Sequence, residues 1–262
     1  MKVLVIDIGN STTKAAVVTD GVVVWRKTAP TREVIGPAFL WTDFLSEGEA
    51  DPLVLPTGVS CVVPDALRRL RRSFPDADLT EVNATLALPF AMAYSTPDTM
   101  GADRLAAAAA AWNRFGSDDR SVVVVDAGTA VNYEVVRASG VYIGGPIAPG
   151  LMPMRNALIG GTSRLPDLEL ELPERAIGTS TATALQSGIV FGFVDAVSGM
   201  IDRVREELAD LEPEASTFTV VTGGDAELLV DCGITANRIE TNLVLLGIAD
   251  LVEASVGRAE SD

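Results

Sequence analysis

The chain has 262 residues, 48% of them apolar, enough to fill one large core or two smaller ones. Its 36 acidic against 20 basic residues give a formal charge of −16, which excludes nucleic acid as a natural partner because phosphate backbones need a cationic face. Histidine is absent, which removes imidazole bases, histidine-ligated zinc and Ser-His-Asp triads, so any proton acceptor must be Asp, Glu, Lys, Tyr or Cys.

The N-terminus lacks the basic-then-apolar run of a signal peptide, and no apolar run approaches the roughly 18–20 residues of a membrane span. No membrane association and a cytoplasmic location are therefore expected. Residues 3–7 form an apolar strand ending on Asp7, and residues 15–18 and 22–25, separated by Asp20-Gly21, complete a three-strand meander. Another short strand covers 59–63. It contains Cys61, which like Cys232 sits in apolar company without paired spacing and reads as a core thiol. Pro64-Asp65 open a helix whose Arg68, Arg69, Arg71 and Arg72 form a solvated face, with an anion site as the alternative. Prolines break residues 88–99 into a loop that leads to Gly101-Ala102-Asp103-Arg104 and a helix over 105–115. Asp103 and Arg104 thus lie at a helix N-terminus, where free N–H groups and the helix dipole favour anions.

Gly116-Ser117-Asp118-Asp119 marks a boundary between domains at 1–116 and 117–262. A second meander follows at 121–126, 131–137 and 140–143, then a rigid loop over 144–150 and a helix over 151–158. Helices are expected at 179–197 and 201–211, the latter with Arg203 and Arg205 outward. A strand at 218–221 runs into Thr222-Gly223-Gly224-Asp225 and a helix, and a last helix covers about 242–256. The order β-β-β-α-β-α, met twice, predicts an α/β protein of two ribonuclease-H-like domains with mixed sheets flanking a central cleft.

The chemistry concentrates in a repeated turn. Asp7-Ile8-Gly9 and Asp126-Ala127-Gly128 occupy the same place in the two meanders, and Gly21 falls on Gly140 at the same offset. In the first copy glycine lets backbone approach phosphate, Asn10, Ser11 and Thr12 donate hydrogen bonds, Lys14 adds charge, and Asp7 can hold hydrated magnesium. Lysine occurs only at Lys2, Lys14 and Lys27, which sets Lys14 apart. Thr222-Gly223-Gly224-Asp225 is a third glycine loop, suited to nucleoside contact or serving only as a tight turn. Asp103 can accept the proton of a primary alcohol attacking a γ-phosphate, or act only on the helix dipole. Arg104 can pin a carboxylate with a bidentate contact, or form a surface salt bridge.

Three glycine loops in this order resemble the superfamily of acetate and sugar kinases, heat-shock chaperones and actin. Nearly end to end, the chain resembles type III pantothenate kinases: DIGNSTTK at 7–14, SCVVP at 60–64, Tyr94 ahead of GADR at 101–104, and DAGTA at 126–130. The match continues through GGPIAPG at 144–150, LP at 165–166, GTSTATALQSG at 178–188, TGG at 222–224 and NLVLLG at 242–247. The resemblance implies ATP-dependent phosphorylation of pantothenate to 4′-phosphopantothenate, the first step toward coenzyme A. It implies Asp103 as proton acceptor, and Tyr94, Gly101, Ala102, Asp103 and Arg104 as the pantothenate site, with Thr181 of the partner subunit in a homodimer. Asp7, Ile8, Gly9, Asn10, Ser11, Thr12, Thr13, Lys14 and Thr129 would bind ATP, Asp7 would hold Mg2+ with the nucleotide, and Asp126 would hold a monovalent cation, K+ or NH4+.

Ser11 stands where the family usually has Thr, Asn132 and Glu134 depart from its usual Thr and Asp or Asn, and Pro146 replaces a small residue and stiffens its turn. Two other readings remain open: another small-molecule kinase of the superfamily, and a non-catalytic homologue with a regulatory or binding role. Retention of Asp7, Asp103 and Asp126 argues against the second. The lack of a Cys/His zinc cluster argues against a sugar kinase.

Overall fold

The computed structural model describes residues 1–48, 50–161, 166 and 168–259. The chain divides into two compact units, Met1–Phe115 with Gly140–Ile143 and Asn242–Asp262, and Gly116–Ser139 with Gly144–Thr241.

In the first unit, β1 (Lys2–Ile8) is buried from Val3 onward, so it carries an unbroken apolar run rather than an alternating one, as a strand covered on both faces requires. It pairs antiparallel with β2 (Thr12–Thr19) and parallel with β4 (Thr57–Cys61). β3 (Val22–Pro30) joins β2 antiparallel and β5 (Leu79–Glu81) joins β4 parallel, giving the order β3-β2-β1-β4-β5. The three short helices α1 (Thr31–Val34), α2 (Trp41–Ser46) and α3 (Pro64–Ser73) contribute Val34, Trp41, Phe44 and Leu70 to a core that also holds Leu4, Ile6, Ile8 and Val17 of the sheet.

A short strand β6 (Ala91–Met92) and a 3₁₀ turn at Pro97–Thr99 precede α4 (Ala102–Phe115). The alanines at 106–111 are buried against α8 (Leu243–Ala259), the last helix of the chain. A Cβ at Gly247 would lie 1.8 Å from the Ala106 carbonyl oxygen, so only glycine admits so close a helix crossing. Arg114 at the far end of α4 clamps Asp250 with Nη1 and Nη2 (2.5 and 3.1 Å). These contacts are why residues 242–262 group with the first unit although the sequence division at 116/117 put them in the second. The short strand β9 (Val141–Gly144) also departs from that division, because Val141 and Tyr142 pair parallel with Ala91 and Met92.

The second unit repeats the central pattern of the first. β7 (Arg120–Ala127) pairs antiparallel with β8 (Ala130–Arg137) and parallel with β11 (Ser216–Thr222), which pairs parallel with β12 (Arg238–Ile239). The order β8-β7-β11-β12 matches β2-β1-β4-β5, and β10 (Ile147–Pro149) adds to β8. Its helices are α5 (Leu151–Gly160), α6 (Thr181–Leu211) and α7 (Ala226–Asp231).

Two expectations change here. The helices predicted at 179–197 and 201–211 are one 31-residue helix, started by a Ser180 capping box with Thr183. A glycine such as Gly199 costs about 1 kcal/mol in a helix without breaking it, and the buried stripe Phe193, Val197, Ile201, Val204, Leu208 runs straight past it. By length and composition α6 could also cross a membrane, contrary to the sequence reading. That stripe faces protein core, and the opposite side carries Asp202, Arg203 and Glu206.

Candidate active site

β1 delivers Asp7 to its end, where the residue is only 6% exposed. Parallel pairing sets Asp7 opposite Ser60, whose hydroxyl, itself fully buried, donates to Asp7 Oδ1 (3.1 Å). Antiparallel pairing sets it opposite Lys14, whose Nζ lies 3.9 Å from Oδ2. The turn beyond is closed by the Gly9 N–H donating to the Thr12 carbonyl (3.1 Å). Thr31 braces it from α1: its hydroxyl donates to the Gly9 carbonyl (2.7 Å), its N–H donates to the Ser11 carbonyl (2.9 Å), and its Oγ1 is 3.0 Å from Thr13 Oγ1. Asn10, Ser11 and Thr12 are exposed at the tip, whereas the side chains of Ile8 and Thr13 are buried. The motif at 7–14 therefore divides into outward-facing groups and groups that hold the turn.

Ala102, Asp103 and Arg104 open α4 directly after Gly101, so Asp103 and Arg104 lie at a helix N-terminus. Asp103 is half-buried and its Oδ1 accepts the Arg104 backbone N–H (2.9 Å). Arg104 is buried at 8% exposure, with its guanidinium carbon 5.9 Å from the centre of the Tyr94 ring. Its Nη2 donates to the Tyr142 hydroxyl (3.4 Å). A buried arginine beside a half-buried carboxylate, at the positive end of a 14-residue helix, suits a ligand that carries both a carboxylate and a hydroxyl.

In the second unit the copy of the turn is closed in the same way, by the Gly128 N–H donating to the Ala130 carbonyl (3.0 Å). Asp126 is half-buried, opposite Asn132 on β8 and Thr222 on β11. Gly223 (φ +94°) passes close to Asp126, and the Asp225 N–H donates to the Ala127 carbonyl (3.0 Å), so the third glycine loop is built directly against the second. Burial pushes the Asp225 carboxyl up from its ordinary range. Thr129 is exposed, and its carbonyl accepts the Gly150 N–H (3.1 Å), tying the loop at 144–150 to the turn. Pro146 keeps its place in that loop by accepting the Tyr133 N–H (3.0 Å), and Glu134 is fully buried.

Thr181 is exposed at the first turn of α6. It lines a cavity of about 780 Å³ with Met154, Leu158, Leu185 and Ile189, between α5 and α6. Of the LP match, Leu165 lies outside the described residues.

Ser60, Thr31 and Tyr142 were missed by the sequence reading. Ser60 lay inside the SCVVP match, where its hydroxyl was a usable signal. Thr31 and Tyr142 carry no local mark, since each reaches its partner through strand pairing or a turn distant in sequence.

Two ribonuclease-H-like sheets, each with an Asp-x-Gly turn at the end of its first strand, define the actin-like ATPase and sugar kinase class of fold. The structure of a conserved Campylobacter jejuni protein assigned to the Baf family of transcriptional activators aligns with 97% of this chain and 99% of its own at TM-score 0.58 and 18% identity, a likeness of fold. The chain belongs to the type III pantothenate kinase family, whose model matches residues 3–203. The type III pantothenate kinase of Chlorobaculum parvum is 34% identical over 254 residues, covering 94% of this chain and 92% of the relative. That of Acidothermus cellulolyticus is 34% identical over 263 residues, covering 97% and 98%.

Proposed function

We propose that this chain transfers the γ-phosphoryl group of ATP to the primary hydroxyl of pantothenate, giving 4′-phosphopantothenate, the first step toward coenzyme A. The observation that carries the reading is the start of α4, where the Asp103 carboxylate and the buried Arg104 guanidinium share one helix N-terminus. Arg104 holds the pantothenate carboxylate, with Tyr94, Gly101 and Ala102 around the ligand. Asp103 commits Oδ1 to a backbone N–H, which turns its other oxygen toward the hydroxyl proton. In a homodimer, Thr181 of the partner subunit completes this pocket.

The turn from Asp7 to Lys14, with Thr129, takes the phosphates of ATP: Asn10, Ser11 and Thr12 donate hydrogen bonds and Lys14 offers positive charge. Asp7 suits hydrated magnesium as a carboxylate at the end of a central strand, with the Ser60 hydroxyl orienting its Oδ1 (3.1 Å). The divalent ion would arrive with the nucleotide. Such an ion neutralises charge on the transferred phosphoryl group. Asp126, a half-buried carboxylate near the end of β7, is the candidate for K+ or NH4+. A cytoplasmic location, where ATP is supplied, belongs to the same proposal.

A coupled kinase assay with pantothenate and ATP, with and without potassium or ammonium, tests it. Wild type should turn over with a monovalent cation present, and Asp103→Asn should lose about 10²- to 10⁴-fold in kcat. No turnover by wild type in any salt refutes the kinase reading; full activity of the variant removes Asp103 as the base.

A further inference from the structure

We propose that Tyr142 is a positioning residue that sets the Arg104 fork for the substrate carboxylate, and so contributes to selection of acids over their uncharged analogues. This rests on the reading of Arg104 given above. Tyr142 is fully buried and belongs to Gly140–Ile143, a piece of the later chain that groups with the first unit. Its backbone is fixed there: residue 142 pairs with Met92, and its carbonyl accepts the Ala93 N–H (3.0 Å). Its ring stacks on Phe90 (centroids 5.5 Å apart, 25° between planes) and meets Tyr94 edge-on (6.1 Å, 69°).

The two tyrosines then hold Arg104 in different directions. The Tyr142 hydroxyl accepts from Nη2 at 3.4 Å, and the Tyr94 ring lies 5.9 Å from the guanidinium carbon. A planar guanidinium recognises a carboxylate through a fork of defined orientation. A hydroxyl accepting from Nη2 and a ring beside the guanidinium carbon together restrict how the group can turn. An arginine ordered in advance loses less rotamer freedom when the ligand arrives, so the carboxylate binds more tightly than to a mobile side chain.

Tyr142→Phe keeps the ring and its stacking and removes only the hydroxyl. We expect the Kd and KM for pantothenate to rise about 5-fold, the size of one long hydrogen bond to a charged group. kcat and the KM for ATP should stay near wild type, and the melting temperature should fall by about 2–4 °C, the scale of one buried hydrogen bond. Calorimetric binding of the alcohol analogue of pantothenate, in which CH2OH replaces the carboxylate, should be unchanged. Equal weakening for both ligands makes Tyr142 a packing residue and overturns the proposal, as does no weakening for either. Arg104→Lys, which keeps the charge but loses the fork, separates the two layers. If it weakens pantothenate while Tyr142→Phe does not, only the role of Tyr142 fails. If it leaves pantothenate affinity intact, the Arg104 reading fails and the proposal with it.

Discussion

Replacing Gly223 by alanine puts the strain of the third glycine loop to a quantitative test. Gly223 has φ +94°, outside the range that side-chain-bearing residues readily adopt. A Cβ there would lie 2.2 Å from the Ala127 carbonyl oxygen and 2.6 Å from Asp126 Oδ1, both inside the 3.0 Å that real Cβ atoms essentially never cross. The carbonyl cannot swing away cheaply, because it accepts the Asp225 N–H (3.0 Å) at the end of a paired strand. Backbone strain of roughly 1–3 kcal/mol and a similar overpacking term set the scale at about 3 kcal/mol. That corresponds to a fall of about 6–12 °C in melting temperature. Asp126, the proposed ligand of the monovalent cation, must shift to make room, and on that proposal the potassium concentration for half-maximal activity should rise as well. Gly224→Ala is the matched control: nothing lies within 4 Å of its Cβ position, and its stability should stay within about 0.5 kcal/mol of wild type. Thermal melting followed by circular dichroism reads both. Equal melting temperatures for the two variants refute the reasoning.

Lys14→Met should raise the KM for ATP about 10- to 100-fold, the loss of a charge-assisted phosphate contact, with the KM for pantothenate unchanged; an unchanged KM for ATP in steady-state kinetics removes Lys14 from the nucleotide site. Glu212 makes the clearest pH-dependent contact. Burial opposes its charge, but the Ser121 hydroxyl (2.8 Å) and the Ala138 and Ser139 N–H groups (2.9 and 3.2 Å) outweigh that and hold the carboxyl below its usual range. A carboxyl depressed in the folded state stabilises above its unfolded pKa, near 4.3, and that stability is lost as pH falls through the folded value. The melting gap between wild type and Glu212→Gln should therefore be open at about pH 7 and narrow as the pH falls below about 4. A gap of constant width would show that the charge of Glu212 contributes nothing.

Much of the frame was legible because it is written locally. The apolar runs at 3–7 and 121–126 announce central strands, and each Asp-x-Gly turn follows from its own few residues. The helix N-terminus at Asp103 and Arg104 is equally local, since a proline-broken loop runs straight into a helical segment. Alternation within the motif at 7–14 was harder to use. Ile8 and Thr13 carry the same family signal as Asn10 and Thr12, yet their side chains point into the core and toward Thr31. Strand pleating decides which members of such a motif face outward, and the motif itself does not record the phase.

From residue order alone came the strand-and-turn pattern, its duplication, the family, and the residues with chemistry to offer. What only the folded chain decided was company at a distance: Ser60 on Asp7, Thr31 under the first turn, Gly223 against Asp126, and α8 on the alanine face of α4. Tyr142 beside Arg104 is the clearest case. Turns and helix starts depend on dihedral preferences of adjacent residues, which a sequence displays. Register and helix packing depend on surfaces brought together only when the core closes, so 38 residues separate Arg104 from the hydroxyl that orients it.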